Sequence, residues 1–150
     1  GIIAQGETAL YDAIGTAIRE LNDEKNRRAI VVLSDGGDNA SIDSYDDLKK
    51  KAESAGIPIY FIAYDTGSDT QQRDVDSMKN LAAETGGFVA VAREQDLAAK
   101  YHEIEKDLRA QFAIRYQITD YAKPNQWRAV RVLVASPKLT ARTIRGYFAQ

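Results

Sequence analysis

The stretch Ala29-Ile-Val-Val-Leu-Ser-Asp-Gly-Gly-Asp-Asn39 constrains the fold most, because five apolar residues rich in β-branching run straight into an Asp and two glycines. An apolar run of that length, bounded by turn residues, predicts a buried parallel strand that delivers a carboxylate to its carboxyl end. In open α/β sheets the crevice beyond the carboxyl ends of the strands is where ligands bind, which puts Asp35 where metal binding or chemistry is expected.

The rest of the chain supplies the partners such a strand needs. Leu10, Ala13, Ile14, Ala17, Ile18 and Leu21 share one helix face ahead of it. Ser41 or Asp43 can cap a second helix carrying Tyr45, Leu48 and Ala52, with Gly56 as its left-handed stop. Residues 59–64 form the next buried strand, and the polar residues 65–69 a loop at its carboxyl end. Val75, Met78, Leu81 and Ala82 mark a third helix closed by Gly86-Gly87; residues 88–92 make a third strand. A fourth helix follows with Leu97, Tyr101, Ile104 and Leu108 on one side. Alternating helices and strands, joined by right-handed crossovers, predict an α/β fold: a three-layer, Rossmann-like parallel sheet covered on both faces.

After Gln111 the period changes. Phe112, Ile114, Tyr116 and Ile118 alternate with Ala113, Arg115, Gln117 and Thr119, and Val130, Val132 and Val134 alternate likewise. With turns expected at 123–126 and at Ser136-Pro137-Lys138, residues 111–150 read as a three-stranded antiparallel meander packed on an α/β unit at 1–110. Phe112, Ile114, Tyr116 and Ile118 should lie on one face, leaning on the body, with Trp127 buried. Charge divides at the same place: residues 1–111 hold 13 Lys and Arg against 21 Asp and Glu, and the remainder 7 against 1. Parts of opposite sign have different roles or face one another.

Composition sets outer bounds. With 150 residues, 44% of them hydrophobic and 28% charged, the chain suits one globular domain with an adequate core. No apolar run approaches the roughly 18 residues of a membrane span. No cysteine is present, so disulfides, thiolate metal sites and a cysteine nucleophile are excluded. Gly1-Ile-Ile-Ala-Gln5 lacks an initiator Met and runs almost at once into a helix, as expected for a piece of a longer chain with any signal region upstream. The expected compartment is extracellular or periplasmic.

Thr8 and Asp35 are the first residues to weigh for chemistry. Thr8 sits at a helix start, where its hydroxyl can simply be an N-cap, and Asp35 precedes two glycines, where it can be a turn former. If helix and strand are adjacent, the two are hard oxygen donors suited to Mg²⁺ or Mn²⁺, directly or through water. Two donors alone make a poor octahedral site. Ser34, Gly36, Asp38 and Asn39 form its rim, Asp38 and Asn39 being the foremost outer-shell residues, and Glu7, Asp12 and Asp65 are further carboxylates near the strand ends. The basic tail, with Arg115, Arg128, Arg131, Arg142 and Arg145 among Tyr116, Trp127 and Tyr147, can be a nucleic-acid surface or a solvated sheet face docked on the acidic half. No nucleic-acid motif accompanies it, and the second reading is taken. His102, beside Glu103 on a helix, can carry protons or be an exposed helix residue, and the second reading is taken. No nucleophile elbow, phosphate-binding glycine loop or His-Glu-x-x-His signature occurs.

Gly6-Glu7-Thr8-Ala9-Leu10 followed by Val31-Val32-Leu33-Ser34-Asp35-Gly36 resembles the later two motifs of a von Willebrand factor type A domain, with residues 57–63 and Thr85-Gly86-Gly87 following in order. In that family a metal-ion-dependent adhesion site combines an Asp-x-Ser-x-Ser loop with a Thr from a later loop and an Asp at a further strand end. Thr8 and Asp35 match the last two positions. The Asp-x-Ser-x-Ser motif is missing; Ser41-Ile-Asp43-Ser44 has similar letters but lies downstream of Asp35 and opens a helix. The tail motifs 111–116, 127–132 and Arg145-Gly-Tyr-Phe148 resemble bacterial members typified by acidobacteria, which implies an N-terminally truncated domain whose absent strand leaves the 30–33 strand at an unpaired edge.

The resemblance implies a non-catalytic, adhesion-type module. A divalent cation, Mg²⁺ or Mn²⁺, would be held by Thr8 and Asp35 within a larger donor set, weakly or not at all by these residues alone. A protein partner's carboxylate would complete the coordination; neither nucleic acid nor a membrane span is expected. Two alternatives stay open: a metal-assisted hydrolase or phosphoryl-transfer domain using Asp35 as ligand or nucleophile, and a purely structural domain.

Overall fold

The computed structural model describes residues 7–35, 37–64, 71–116 and 126–149. In chain order the elements are α1 (Leu10–Asn22), β1 (Ile30–Ser34), α2 (Tyr45–Ala55), β2 (Ile59–Tyr64), α3 (Gln71–Thr85), β3 (Val89–Ala92), a 3₁₀ turn (Glu94–Asp96), α4 (Leu97–Arg109), β4 (Trp127–Ala129) and β5 (Gly146–Phe148). β1, β2 and β3 form a parallel sheet in that order, with Ile30 opposite Ile59 and Phe61 opposite Val89. β4 and β5 pair antiparallel as a separate two-stranded sheet. The expected loop at 65–69, the turn residues 123–125, Ile118, Gly6 and Gly36 lie outside the described residues.

The sheet divides the core in two. On one face Ile30, Ile59, Phe61 and Ala63 meet Ile14 and Ile18 of α1, Leu48 and Ala52 of α2, and Met78 and Leu81 of α3. On the other, Tyr60 and Ile62 meet Ile104 of α4, with Leu97 and Leu108 against the same cluster. β2 is thus buried on both sides, and each large side chain it hides contributes about 1.5–3 kcal/mol. Tyr101, predicted on the inner face of α4, is instead exposed: α4 is narrow in its contact, and Ile104 is its one buried residue.

β1 departs from the expectation of a strand buried on both sides. Its burial alternates, leaving Val31 39% and Leu33 48% exposed. The register explains this: Val31 and Leu33 share the α4 face with Tyr60 and Ile62, and α4 packs chiefly over β2 and β3. Among the described residues β1 is an edge strand whose outer side has no ladder partner.

One local signal falls elsewhere than expected. The cap of α2 is Ser44, not Ser41 or Asp43; its hydroxyl accepts the Asp47 amide at 3.2 Å while Asp47 accepts the Ser44 amide at 3.4 Å, a reciprocal capping box. Gly56 ends that helix at φ 60°, as predicted. After α3, Gly86 turns at φ 85° and Gly87 lets β3 close on β2: a Cβ there would stand 2.0 Å from the Ile59 carbonyl oxygen.

Among the described residues the tail forms two antiparallel strands, β4 and β5, where three were expected. Residues 111–116 are not a strand, and Phe112, Ile114 and Tyr116 are exposed, Phe112 by 91%. β4 stops at Ala129, short of Val132 and Val134, with one further bond from the Val130 amide to the Arg145 carbonyl. Alternation alone does not make a strand; it needs a neighbour to take up the ladder. The turn at Ser136-Pro137-Lys138 is present, closed by the Leu139 amide on the Ser136 carbonyl at 3.2 Å. Trp127 is half-exposed and packs edge-on to Phe148, ring centroids 4.9 Å apart. The tail meets the body through main chain as well as charge: β5 lies against α2, the Arg145 amide donates to the Glu84 carbonyl at 3.1 Å, the Arg145 side chain bonds the Glu84 carboxylate at 2.9 Å, and Arg142 pairs with Asp107 and lies over the Phe88 ring.

Candidate functional site

The carboxyl end of β1 delivers Ser34 and then Asp35, which is solvent-exposed. Gly36 lies outside the described residues. From Gly37 the chain runs back past the start of α1, and here the sequence-predicted residues come together. The Thr8 amide donates to Asn39 Oδ1 at 2.6 Å, and the Thr8 carbonyl accepts the amides of Asn39 at 3.0 Å and Ala40 at 3.2 Å. The segment carrying Thr8 is thereby held on the loop that leaves Asp35.

Thr8 is not the cap of α1. The N-cap is Ala9, which has no side chain to offer, so the first amides of the helix need partners from elsewhere. Asp38 and Ser41 provide them: Asp38 Oδ2 accepts the Tyr11 amide at 2.8 Å, and Ser41 Oγ accepts the Asp12 amide at 3.0 Å. The Ser41 hydroxyl in turn donates to Asp38 at 2.6 Å. Partial burial pushes the Asp38 carboxyl up, but the Ser41 hydroxyl and the amides of Tyr11, Ser41 and Leu10 outweigh it and hold the group below its ordinary value. Ser41, expected to open α2, therefore serves α1.

Asp12 returns the favour from the first turn of α1. Its two oxygens accept the amides of Ile42 at 2.9 Å and Asp43 at 3.0 Å, and these two bonds are the leading causes that hold its carboxyl below the ordinary value. Asp43 is paired to Lys51 of α2. The sequence marks Asp12 only as a carboxylate in a first helical turn, a position that favours acids for the helix dipole alone; nothing local announces a partner 30 residues away.

The donor chemistry suits a hard cation in kind but not in number. Thr8 is exposed, and among the described residues no hydrogen bond engages its hydroxyl. Hydroxyl and carboxylate oxygens are the ligands Mg²⁺ prefers. Among the described residues, however, no group of three or more His, Asp or Glu stands close enough together to hold a metal. Asp38 spends its oxygens on the Tyr11 amide and on the amide and hydroxyl of Ser41. His102, the sole histidine, is exposed on α4 and bonds Glu105 at 3.1 Å, away from this loop.

Clefts add little. One, lined by Tyr11, Tyr45, Asp74 and Met78 among others, has room for barely one water. A larger one, about 430 Å³, lies at the opposite end of the strands between Arg27, Pro58 and Phe112. No helix among the described residues is long and apolar enough to cross a membrane.

The family model of the von Willebrand factor type A domain matches residues 2–106. No curated protein matches the chain.

Proposed function

Because this chain belongs to the von Willebrand factor type A domain family, whose members commonly mediate protein interactions through a metal site, we propose that it is a non-catalytic binding module whose contact surface is the loop end around Thr8 and Asp35. The observation that carries the reading is the set of main-chain and side-chain bonds from Thr8 to Asn39 and Ala40, which seats an exposed hydroxyl beside the loop that follows an exposed carboxylate. Thr8 and Asp35 are the residues that would hold Mg²⁺ or Mn²⁺, with Ser34, Asp38 and Asn39 around them. The cation would supply a Lewis-acidic attachment point for a partner's carboxylate. In the family the remaining donors come from water and from an Asp-x-Ser-x-Ser motif ahead of this threonine, a motif that residues 1–150 lack.

A fluorescently labelled peptide rich in Asp and Glu serves as the probe partner. Its anisotropy should rise with this chain in Mn²⁺ and fall back on chelation or in Asp35→Ala. Binding indifferent to chelator overturns the reading, as does metal-dependent turnover in a panel of ester and phosphate substrates.

A further inference from the structure

The start of α1 and the loop after β1 are capped reciprocally. Ala9 leaves the helix without a cap of its own, so Asp38 and Ser41 take the amides of Tyr11 and Asp12, while Asp12 takes the amides of Ile42 and Asp43. This is the logic of a capping box, two sets of orphan amides satisfied by each other's side chains, spread over two segments distant in sequence. Thr8 and Asn39 lie inside the closed loop of bonds, one residue ahead of Ala9 and one after Asp38, and bond each other.

From this geometry we infer that Asp12 is a positioning residue for the cation site: by fixing the 42–43 amides it sets the loop that carries Asn39, and through Asn39 the place of Thr8 relative to Asp35. The assignment rests on the reading of Thr8 and Asp35 as cation donors. Asp12 need not touch the ion, since both of its oxygens are engaged by main-chain amides. Its effect is preorganisation. Mg²⁺ and Mn²⁺ tolerate little misplacement of their ligands, so a donor pair held at fixed spacing binds more tightly than the same pair on independent segments. Asp43 and Lys51 extend the same frame to α2.

The test compares Asp12→Ala, Asp12→Asn and Ser44→Ala with the unaltered chain, Ser44 being a cap of similar kind that serves α2 and lies outside the latch. Mn²⁺ affinity is read by electron paramagnetic resonance, and the exchange protection of the Thr8 and Asn39 amides by NMR without metal. Asp12→Ala should weaken Mn²⁺ binding roughly three- to tenfold, the change expected from losing about one hydrogen bond of ordinary net strength, and should lower both protections. Asp12→Asn, which keeps an acceptor oxygen, should recover part of each. Ser44→Ala should lower thermal stability yet leave affinity and protection unmoved. An unaltered chain that takes up no Mn²⁺ overturns the cation reading. Unchanged Thr8 and Asn39 protection in Asp12→Ala overturns the latch itself, and an equal loss of affinity in Ser44→Ala reduces Asp12 to a general stabiliser.

Discussion

Asp38 accepts the amide of Tyr11 at 2.8 Å, so the first turn of α1 is capped from a loop 27 residues further along the chain. Truncating such a cap ordinarily costs about 0.5–2 kcal/mol. Asp38→Ala should therefore lower the urea midpoint without changing the slope, and amide exchange should quicken at Tyr11 first. An unchanged midpoint would mean that water or Ser41 caps the helix equally well.

Acid should loosen the same place. Asp38 and Asp12 are both held below their ordinary values, Asp12 by the Ile42 and Asp43 amides, and Asp47 likewise by the Ser44 hydroxyl and amide. For a carboxyl whose folded pKa is depressed, the linked stability is complete above the unfolded value, about 4, and is lost as pH falls through the folded value. Unfolding free energy from pH 7 downward should stay level with respect to these groups until about pH 4 and then fall. Asp12→Ala should flatten that fall; a loss centred between neutrality and pH 5 would point to other groups.

Two glycines give contrasting expectations. A Cβ on Gly87 would come 2.0 Å from the Ile59 carbonyl oxygen and force β3 off β2, so Gly87→Ala should cost more than about 3 kcal/mol or prevent folding. A Cβ on Gly146 would come 2.4 Å from the Arg128 carbonyl oxygen and from the Trp127 ring, its nearest atoms all in β4, which breaks β4 from β5. Gly146→Ala should red-shift Trp127 fluorescence and leave the cooperative unfolding of the body nearly where it was. A shared collapse of both signals would mean that tail and body unfold as one unit.

Trp127 itself now warrants a smaller effect than a buried tryptophan. It is 37% exposed and its main partner is Phe148, so Trp127→Ala should cost on the order of 1–2 kcal/mol, the worth of an aromatic pair with partial burial. Calorimetric melting of the two proteins decides it: a loss above about 3 kcal/mol would place the ring in the core instead.

The parallel α/β body was legible because its signals are local. β2 appears at the predicted residues, since a continuous apolar run between Pro58 and a polar loop has few other solutions, and Gly56 and Gly86 stop their helices with positive φ. The caps were half legible. Ser41 and Ser44 are both competent N-cap residues, and which helix each serves depends on where α1 sits, a tertiary fact. The same holds for Asp12, whose partners lie 30 and 31 residues away. The tail misled because Phe112, Ile114 and Tyr116 alternate as a strand would, whereas the tail is attached further along, by β5 against α2, the main chain at Arg145 and the side chains of Arg142 and Arg145, none of which has a periodic signature. For Thr8 and Asp35 the sequence offered residue types and order; the bonds from Thr8 to Asn39 show the segments meeting.

Titration calorimetry with Mg²⁺ on this chain and on Asp35→Ala tests the central claim most directly. With Thr8 and Asp35 as its only proposed protein donors, a cation that demands near-octahedral geometry and dehydrates reluctantly should bind weakly, well short of micromolar affinity, and the heat should vanish in Asp35→Ala. Binding of equal strength in the two proteins, or no heat in either, would contradict the assignment of Asp35 to a cation site.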